Sequence, residues 1–140
     1  MSPPAIIYVL TALAAVVVVL TRLRMRGGQG AGRFHVGGRL LDVHTFSGVL
    51  ALIVWTVFLA APESSSAGSA TVGIIGLGLF WIVTVAGLLI LVRWLPSHGK
   101  HASEGVQDKW SEGPGLSVLA HVGMLVGVIV FTIAYLTNGV

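Results

Sequence analysis

Residues 71–95 read TVGIIGLGLFWIVTVAGLLILVRWL, and the first charged residue among them is Arg93. A helix needs about 20 mostly apolar residues to cross the roughly 30 Å hydrocarbon core of a bilayer. Three further stretches have this character, namely residues 5–21, 40–60 and 116–137. They are too long and too unbroken for the strands of a membrane barrel, and a helix pairs its own backbone polar groups in lipid. The sequence therefore predicts an all-α protein with four transmembrane helices in a single domain, residues 1–140.

The composition agrees with this interpretation. Hydrophobic residues make up 55% of the 140 residues and charged residues only 9%, whereas soluble domains carry about 25% charged residues. A disordered chain would be polar and charged, so disorder is excluded as well. The chain has no cysteine, which excludes disulfides, thiolate metal sites and iron–sulfur clusters. These numbers predict an integral membrane protein that is surrounded by lipid.

The cations predict how the helices are oriented. All eight Lys and Arg residues lie in or beside two of the three connections; they are Arg22, Arg24, Arg26, Arg33, Arg39, Arg93, Lys100 and Lys109. By the positive-inside rule, we expect cytoplasmic loops at 22–39 and 96–115 and an up-down bundle with both termini outside the cell (inner or plasma) membrane. No cation precedes the first span, so we expect a retained anchor rather than a cleaved signal. The topology accounts for the net charge of +3, and the sequence gives no indication of nucleic-acid binding.

Two of the five histidines lie inside predicted spans, near their cytoplasmic ends. At 1.5 Å per residue, His44 lies about 6 Å into the second span from Leu40, and His121 lies about 9 Å beyond Gly115. The second and fourth spans run in the same direction and face each other across an up-down bundle. We therefore expect the two imidazoles at nearly the same depth. Ionisable residues within a membrane are candidate functional residues, because their burial is expensive.

Two neutral imidazoles at equal depth suit axial ligation of a b-type haem, which needs a nitrogen on each face of the iron and an apolar slot for the porphyrin. The predicted cofactor site has six residues, which are His44, His121, Ser47, Gly48, Ser117 and Arg39. The small residues after the first histidine would leave room for the porphyrin, and the serine before the second histidine could accept its ring N–H. The arginine at the membrane edge could pair with a haem propionate.

The same histidines allow two other interpretations. An intramembrane histidine can simply form a hydrogen bond to a neighbouring helix. It can also bind a carbonyl of menaquinone or ubiquinone, with Asp42 or Ser117 as a proton partner. A quinone site is compatible with a haem site.

A second histidine pair, His98 and His101, follows Pro96 in the third connection. On a helix, this spacing could hold zinc or copper together with a third ligand. Gly99 disfavours a helix at this point, and the segment is more typical of a solvated loop.

Glycines are frequent in the last two predicted spans. They are Gly73, Gly76, Gly78 and Gly87 in the third span and Gly123 and Gly127 in the fourth. Such small residues let helix backbones approach closely, either within the bundle or against a partner protein.

The segments DVHTFSGVLAL (42–52) and LAHVGMLVG (119–127) resemble the histidine-containing helices of small membrane cytochromes b, including the membrane anchors of respiratory dehydrogenases. In that class the helix histidines ligate haem b, which would apply here to His44 and His121. Many members hold two haems, one near each face, whereas this chain has no histidine in its outer half. The resemblance therefore implies a single haem near the cytoplasmic face.

The sequence thus predicts a membrane subunit of a respiratory or redox assembly that exchanges electrons with a quinone pool or a dehydrogenase through one haem b. The alternative is a haem-free accessory subunit of a respiratory complex, with His44 and His121 as structural or quinone-contacting residues. The motifs of serine hydrolases, zinc proteases and phosphate-binding loops do not occur. We therefore expect an electron-transfer or accessory subunit more than a chain that is catalytic on its own.

Overall fold

The computed structural model describes residues 3–26, 38–94 and 114–139, and its regular structure is entirely helical. The four helices are α1 (Pro3–Arg26), α2 (Gly38–Ala60), α3 (Ala70–Trp94) and α4 (Pro114–Leu136). No strand occurs in these ranges. The prediction of an all-α protein with four helices is confirmed.

The helix ends follow local sequence signals. The bounds of α2, α3 and α4 agree with the predicted ones to within about two residues. In contrast, α1 continues to Arg26, beyond the predicted end at residue 21. The apolar run stops there, but the arginine, leucine and methionine residues that follow are good helix formers. The prediction ended the helix where its apolar character ends, which is not where helix propensity ends.

Three of the helices are long and apolar enough to cross a membrane. The qualifying segments are Arg39–Ala60, Ala70–Val92 and Val118–Leu136. Within the part of α1 that the structure describes, the apolar segment is the shorter Pro4–Val19. Three candidate spans therefore agree with the prediction, and a fourth span in α1 stays a prediction.

The outer surface of the helices is apolar. Large hydrophobic side chains point outward from all four helices, and the most exposed are Phe46 at 72% and Leu136 at 73%. Soluble proteins rarely expose contiguous apolar patches of more than a few hundred Å². This surface is therefore suited to contact with membrane lipid.

Helices α2 and α3 form the most extensive contact, α3 also packs on α4, and α1 contacts both α2 and α4. Two tyrosines link helix ends to each other. The Tyr8 hydroxyl near the start of α1 donates to the Leu59 carbonyl at the end of α2 (3.0 Å). The Tyr135 hydroxyl near the end of α4 donates to the Ala70 carbonyl at the start of α3 (2.8 Å).

An aromatic cluster fills the core towards the α2–α3 loop. Trp55 is fully buried and stacks on Phe131, with ring centroids 5.2 Å apart. Phe80 meets both rings edge-on, at 6.1 Å from Trp55 and 5.2 Å from Phe131. A Cβ atom on Gly76 would lie 3.2 Å from Trp55 Cε3, so α3 reaches this indole through a residue without a side chain. The aromatic cluster closes one end of the bundle and leaves the histidines at the other end.

Candidate functional site: the histidine pair on α2 and α4

The side chains of His44 on α2 and His121 on α4 lie next to each other. Their ring centroids are 6.0 Å apart and their planes differ by 24°. Both residues are half-buried. The equal depth expected from their positions in the second and fourth helices therefore brings the two imidazoles together.

One turn of α3 contacts the pair. The Nδ1 atom of His44 lies 3.0 Å from the carbonyl oxygen of Val83. A carbonyl only accepts hydrogen bonds, so Nδ1 carries the proton in this contact. The Nε2 atom of a neutral His44 ring is then the unprotonated nitrogen, which is the form that can ligate a metal.

Gly87, one turn after Val83, faces both rings. A Cβ atom at this position would lie 2.7 Å from Cδ2 and 3.1 Å from Nε2 of His121, and 3.0 Å from Cε1 of His44. Any side chain larger than hydrogen would therefore displace at least one imidazole. The absence of a side chain on Gly87 is what lets α3 and the two rings share this space.

Sequence reasoning identified the histidines but not this turn of α3. It grouped Gly87 with three other glycines of the same helix as sites of close helix approach. The structure distinguishes them, since Gly73, Gly76 and Gly87 have near neighbours whereas Gly78 has none within 4 Å. The Val83 carbonyl carries no sequence signal, because every residue has one.

The predicted site residues Ser47 and Gly48 lie one turn after His44, and Gly48 faces α3. The Ser47 hydroxyl donates to the Val43 carbonyl of its own helix at 2.6 Å. A Cβ atom on Gly48 would lie 3.1 Å from Cγ2 of Val83. Both residues are buried, and the absence of a side chain on Gly48 brings the Val83 turn of α3 close to α2. That they also leave room for a porphyrin stays a prediction.

The other predicted site residues lie apart from the rings or outside the described part. Arg39 is exposed at the start of α2. Because it lies four residues before Val43, it is on the same helix face as Val43 and not on the face of His44. Ser117 lies in the first turn of α4, and its side chain is outside the described residues. The predicted loop metal site of His98 and His101 is also outside them. Across the ranges 3–26, 38–94 and 114–139, no group of three or more His, Cys, Asp or Glu residues is placed to hold a metal ion.

The spacing of the rings is that of an ordinary ring contact. A centroid separation of 6.0 Å lies within the roughly 4.5–7 Å found for contacting aromatic rings. This contact and the hydrogen bond to Val83 join α2, α3 and α4. That the pair also holds a haem iron stays a prediction.

Comparison of the chain with models of protein families, with curated proteins and with solved structures gives no match. No family is therefore assigned. The resemblance to membrane cytochromes b is limited to the two segments around His44 and His121 and stays a prediction.

Proposed function

We propose that this chain is an integral membrane subunit of a respiratory or redox assembly and that it binds one haem b between His44 and His121. The observation that carries the proposal is the 6.0 Å separation of the two imidazole centroids. This separation suits bis-imidazole ligation, in which one nitrogen approaches each face of the iron.

Two features of the surroundings support this proposal. The Val83 carbonyl holds the Nδ1 proton of His44 and leaves Nε2 as the ligating atom. Gly87 places no side chain of its own between α3 and the two rings. Haem bound here would supply reversible one-electron transfer. The protein would provide the axial nitrogens, fix the orientation of His44 and surround the site with apolar helices.

The proposed topology is an up-down bundle of four spans with both termini outside the cell membrane. Its support comes from the cations in the first and third connections and from the two tyrosine contacts. Each tyrosine contact joins the start of one helix to the end of its neighbour, as antiparallel packing requires. In this topology the pair would lie near the cytoplasmic face, where electrons can be exchanged with a quinone pool (menaquinone or ubiquinone) or with a dehydrogenase subunit.

A haem-free accessory subunit of a respiratory complex is the second candidate. It is favoured by the hydrogen bond between His44 and Val83, which joins α2 to α3, and by the ring contact between α2 and α4. Side-chain hydrogen bonds between membrane helices contribute about 0.6 kcal/mol on average. The pair could therefore serve only to hold the helices together.

The test is a dithionite-reduced minus oxidised absorption spectrum of the full chain, purified in detergent after expression with ample haem. We expect a b-type α-band that is lost in His44→Ala and in His121→Ala. The matched control is His101→Ala, which removes a histidine from the third connection and should leave the band unchanged. A wild-type protein without the band would exclude the haem proposal and favour the accessory subunit.

A further inference from the structure

A groove of about 420 Å³ runs along the outer side of the contact between α2 and α3. The residues that line it include Leu40, Val43, Ile82, Val85, Ala86 and Leu89. The small Ala86 is almost completely buried, whereas the larger Ile82, Val85 and Leu89 of the same helix project outward. A small residue between larger ones gives the groove its depth.

The groove is apolar throughout. Apart from aliphatic side chains it contains only Trp81, whose indole N–H already donates to the Thr132 hydroxyl at 3.2 Å. A quinone ring or another polar group would find no free hydrogen-bonding partner among the residues that line it. Its chemistry suits a hydrocarbon chain, for which polar partners are not needed.

A positive charge lies at the polar end of the groove. Arg39 directly precedes Leu40 and lies four residues before Val43, so its side chain leaves α2 on the same face as Val43. It is exposed and stands at the first residue of the apolar span Arg39–Ala60. A guanidinium at this level meets the phosphates of the lipid headgroups and can bind one through two parallel hydrogen bonds. Asp42 is also exposed near this end. Neither charged residue lines the groove itself, but Arg39 lies one helical turn before the lining residue Val43, whereas Asp42 does not.

We infer that the groove between α2 and α3 binds an acyl chain of an anionic phospholipid whose phosphate is held by Arg39. The guanidinium lies at the polar end of the apolar groove, just as the headgroup of a lipid lies at the polar end of its acyl chain. The site lies on the outer surface and does not depend on a cofactor between His44 and His121. A bound lipid would stabilise the contact between α2 and α3 from outside.

The test is native mass spectrometry of the full chain in a mild detergent, with equal amounts of dioleoyl phosphatidylglycerol and dioleoyl phosphatidylcholine. We expect one retained lipid, with phosphatidylglycerol preferred about fivefold, as one arginine near headgroup level provides. Arg39→Gln should bring this preference close to one, whereas Lys109→Gln, which removes a cation from the third connection, should leave it unchanged.

Two tryptophan variants test the groove itself. Val85→Trp should fill it and lower retention of both lipids about tenfold, because the acyl chain loses apolar contact. Ile74→Trp adds the same side chain at an exposed position of α3 outside the groove and should change nothing. Leu40→Trp repeats the test from α2, and circular dichroism checks that each variant is folded.

Several outcomes would overturn the inference. Equal retention of the two lipids by the wild type would exclude recognition of the phosphate, and unchanged retention in both groove variants would exclude the groove. A dimer of this chain that retains no lipid and dissociates in Val85→Trp would show that a second copy covers the groove. The haem spectrum is measured separately, so failure of either proposal can be distinguished from failure of the other.

Discussion

The two ends of the helical bundle use the same helices for different kinds of packing. Towards the α2–α3 loop, Trp55 is fully buried and stacked at 5.2 Å on Phe131. At the other end, His44 and His121 are half-buried and their centroids are 6.0 Å apart. Both ends contain ring pairs with centroids 5.2–6.1 Å apart, but the rings of the aromatic end pack as a hydrophobic core, whereas the imidazoles carry nitrogen atoms that can bind a metal. The proposed haem site is therefore at the histidine end.

At each end of the bundle, one glycine of α3 packs against the rings. Gly76 faces Trp55, and Gly87 faces the two imidazoles. Both let the backbone of α3 approach a large ring on another helix, but the rings differ in their chemistry. Substitution at Gly76 should change stability alone, whereas substitution at Gly87 should change both stability and any ligand that the histidines hold.

Removal of the aromatic centre should have the largest effect on stability. We expect Trp55→Ala to lower the free energy of unfolding by about 3–5 kcal/mol, because it leaves a cavity beside the rings of Phe58, Phe80 and Phe131. Unfolding in increasing sodium dodecyl sulfate, followed by circular dichroism, measures the loss. Trp81→Ala is the matched control, since this partly exposed indole makes one hydrogen bond and should cost about 1 kcal/mol. Similar losses in the two variants would contradict the assignment of the core to the aromatic end.

The next largest effect on stability should come from substitution of the two glycines, and only one of the two substitutions should also change the haem band. Gly87→Ala should cost about 1–3 kcal/mol by overpacking and should also abolish the haem band, because its Cβ atom meets both imidazoles. Gly76→Ala should lower stability and leave the band intact. Gly78→Ala, whose Cβ atom would have no neighbour within 4 Å, should be neutral or slightly stabilising. Retention of the full band in Gly87→Ala would show that the α3 side of the ring pair is not part of a cofactor site.

A smaller effect is expected from the histidines when no haem is bound. A double-mutant cycle of His44→Ala and His121→Ala in haem-free protein should give a coupling free energy of about 0.5–1.5 kcal/mol, as is typical of contacting ring pairs. With haem bound, the variants should no longer act independently, because either one removes an axial ligand. A coupling of several kcal/mol in the haem-free protein would instead favour a purely structural pair.

The smallest effect is expected from Ser47→Ala. The Ser47 hydroxyl bonds to the carbonyl of Val43 in its own helix, so its loss leaves no partner on another helix unpaired. We expect a change in the free energy of unfolding of less than about 1 kcal/mol and an unchanged haem band. Loss of the band in this variant would show that the hydroxyl, and not only the small size of the residue, takes part in binding.

Part of the site could be predicted because depth in a membrane follows from position along a helix. The places of His44 and His121 in their spans predicted a nearly equal depth, and only the packed helices showed that the two rings meet. Gly87 could not be singled out, since it is one of several glycines in α3. The role of Val83 could not be predicted either, because its contact is made by a backbone carbonyl. Arg39 lies on the same helix face as Val43. We therefore propose a lipid phosphate as its partner, instead of the haem propionate that the sequence suggested.

The helices, their apolar character and the positions of the two histidines along them follow from the sequence. These properties depend on composition and on the fixed rise per residue, both of which are local. Which faces turn inward became clear from the packing of the helices. Helices α2 and α3 are hydrophobic on all sides, so neither has an amphipathic stripe that would mark its inner face. In lipid the inner face is selected by side-chain fit and close backbone approach, and these become visible only when the helices are packed together.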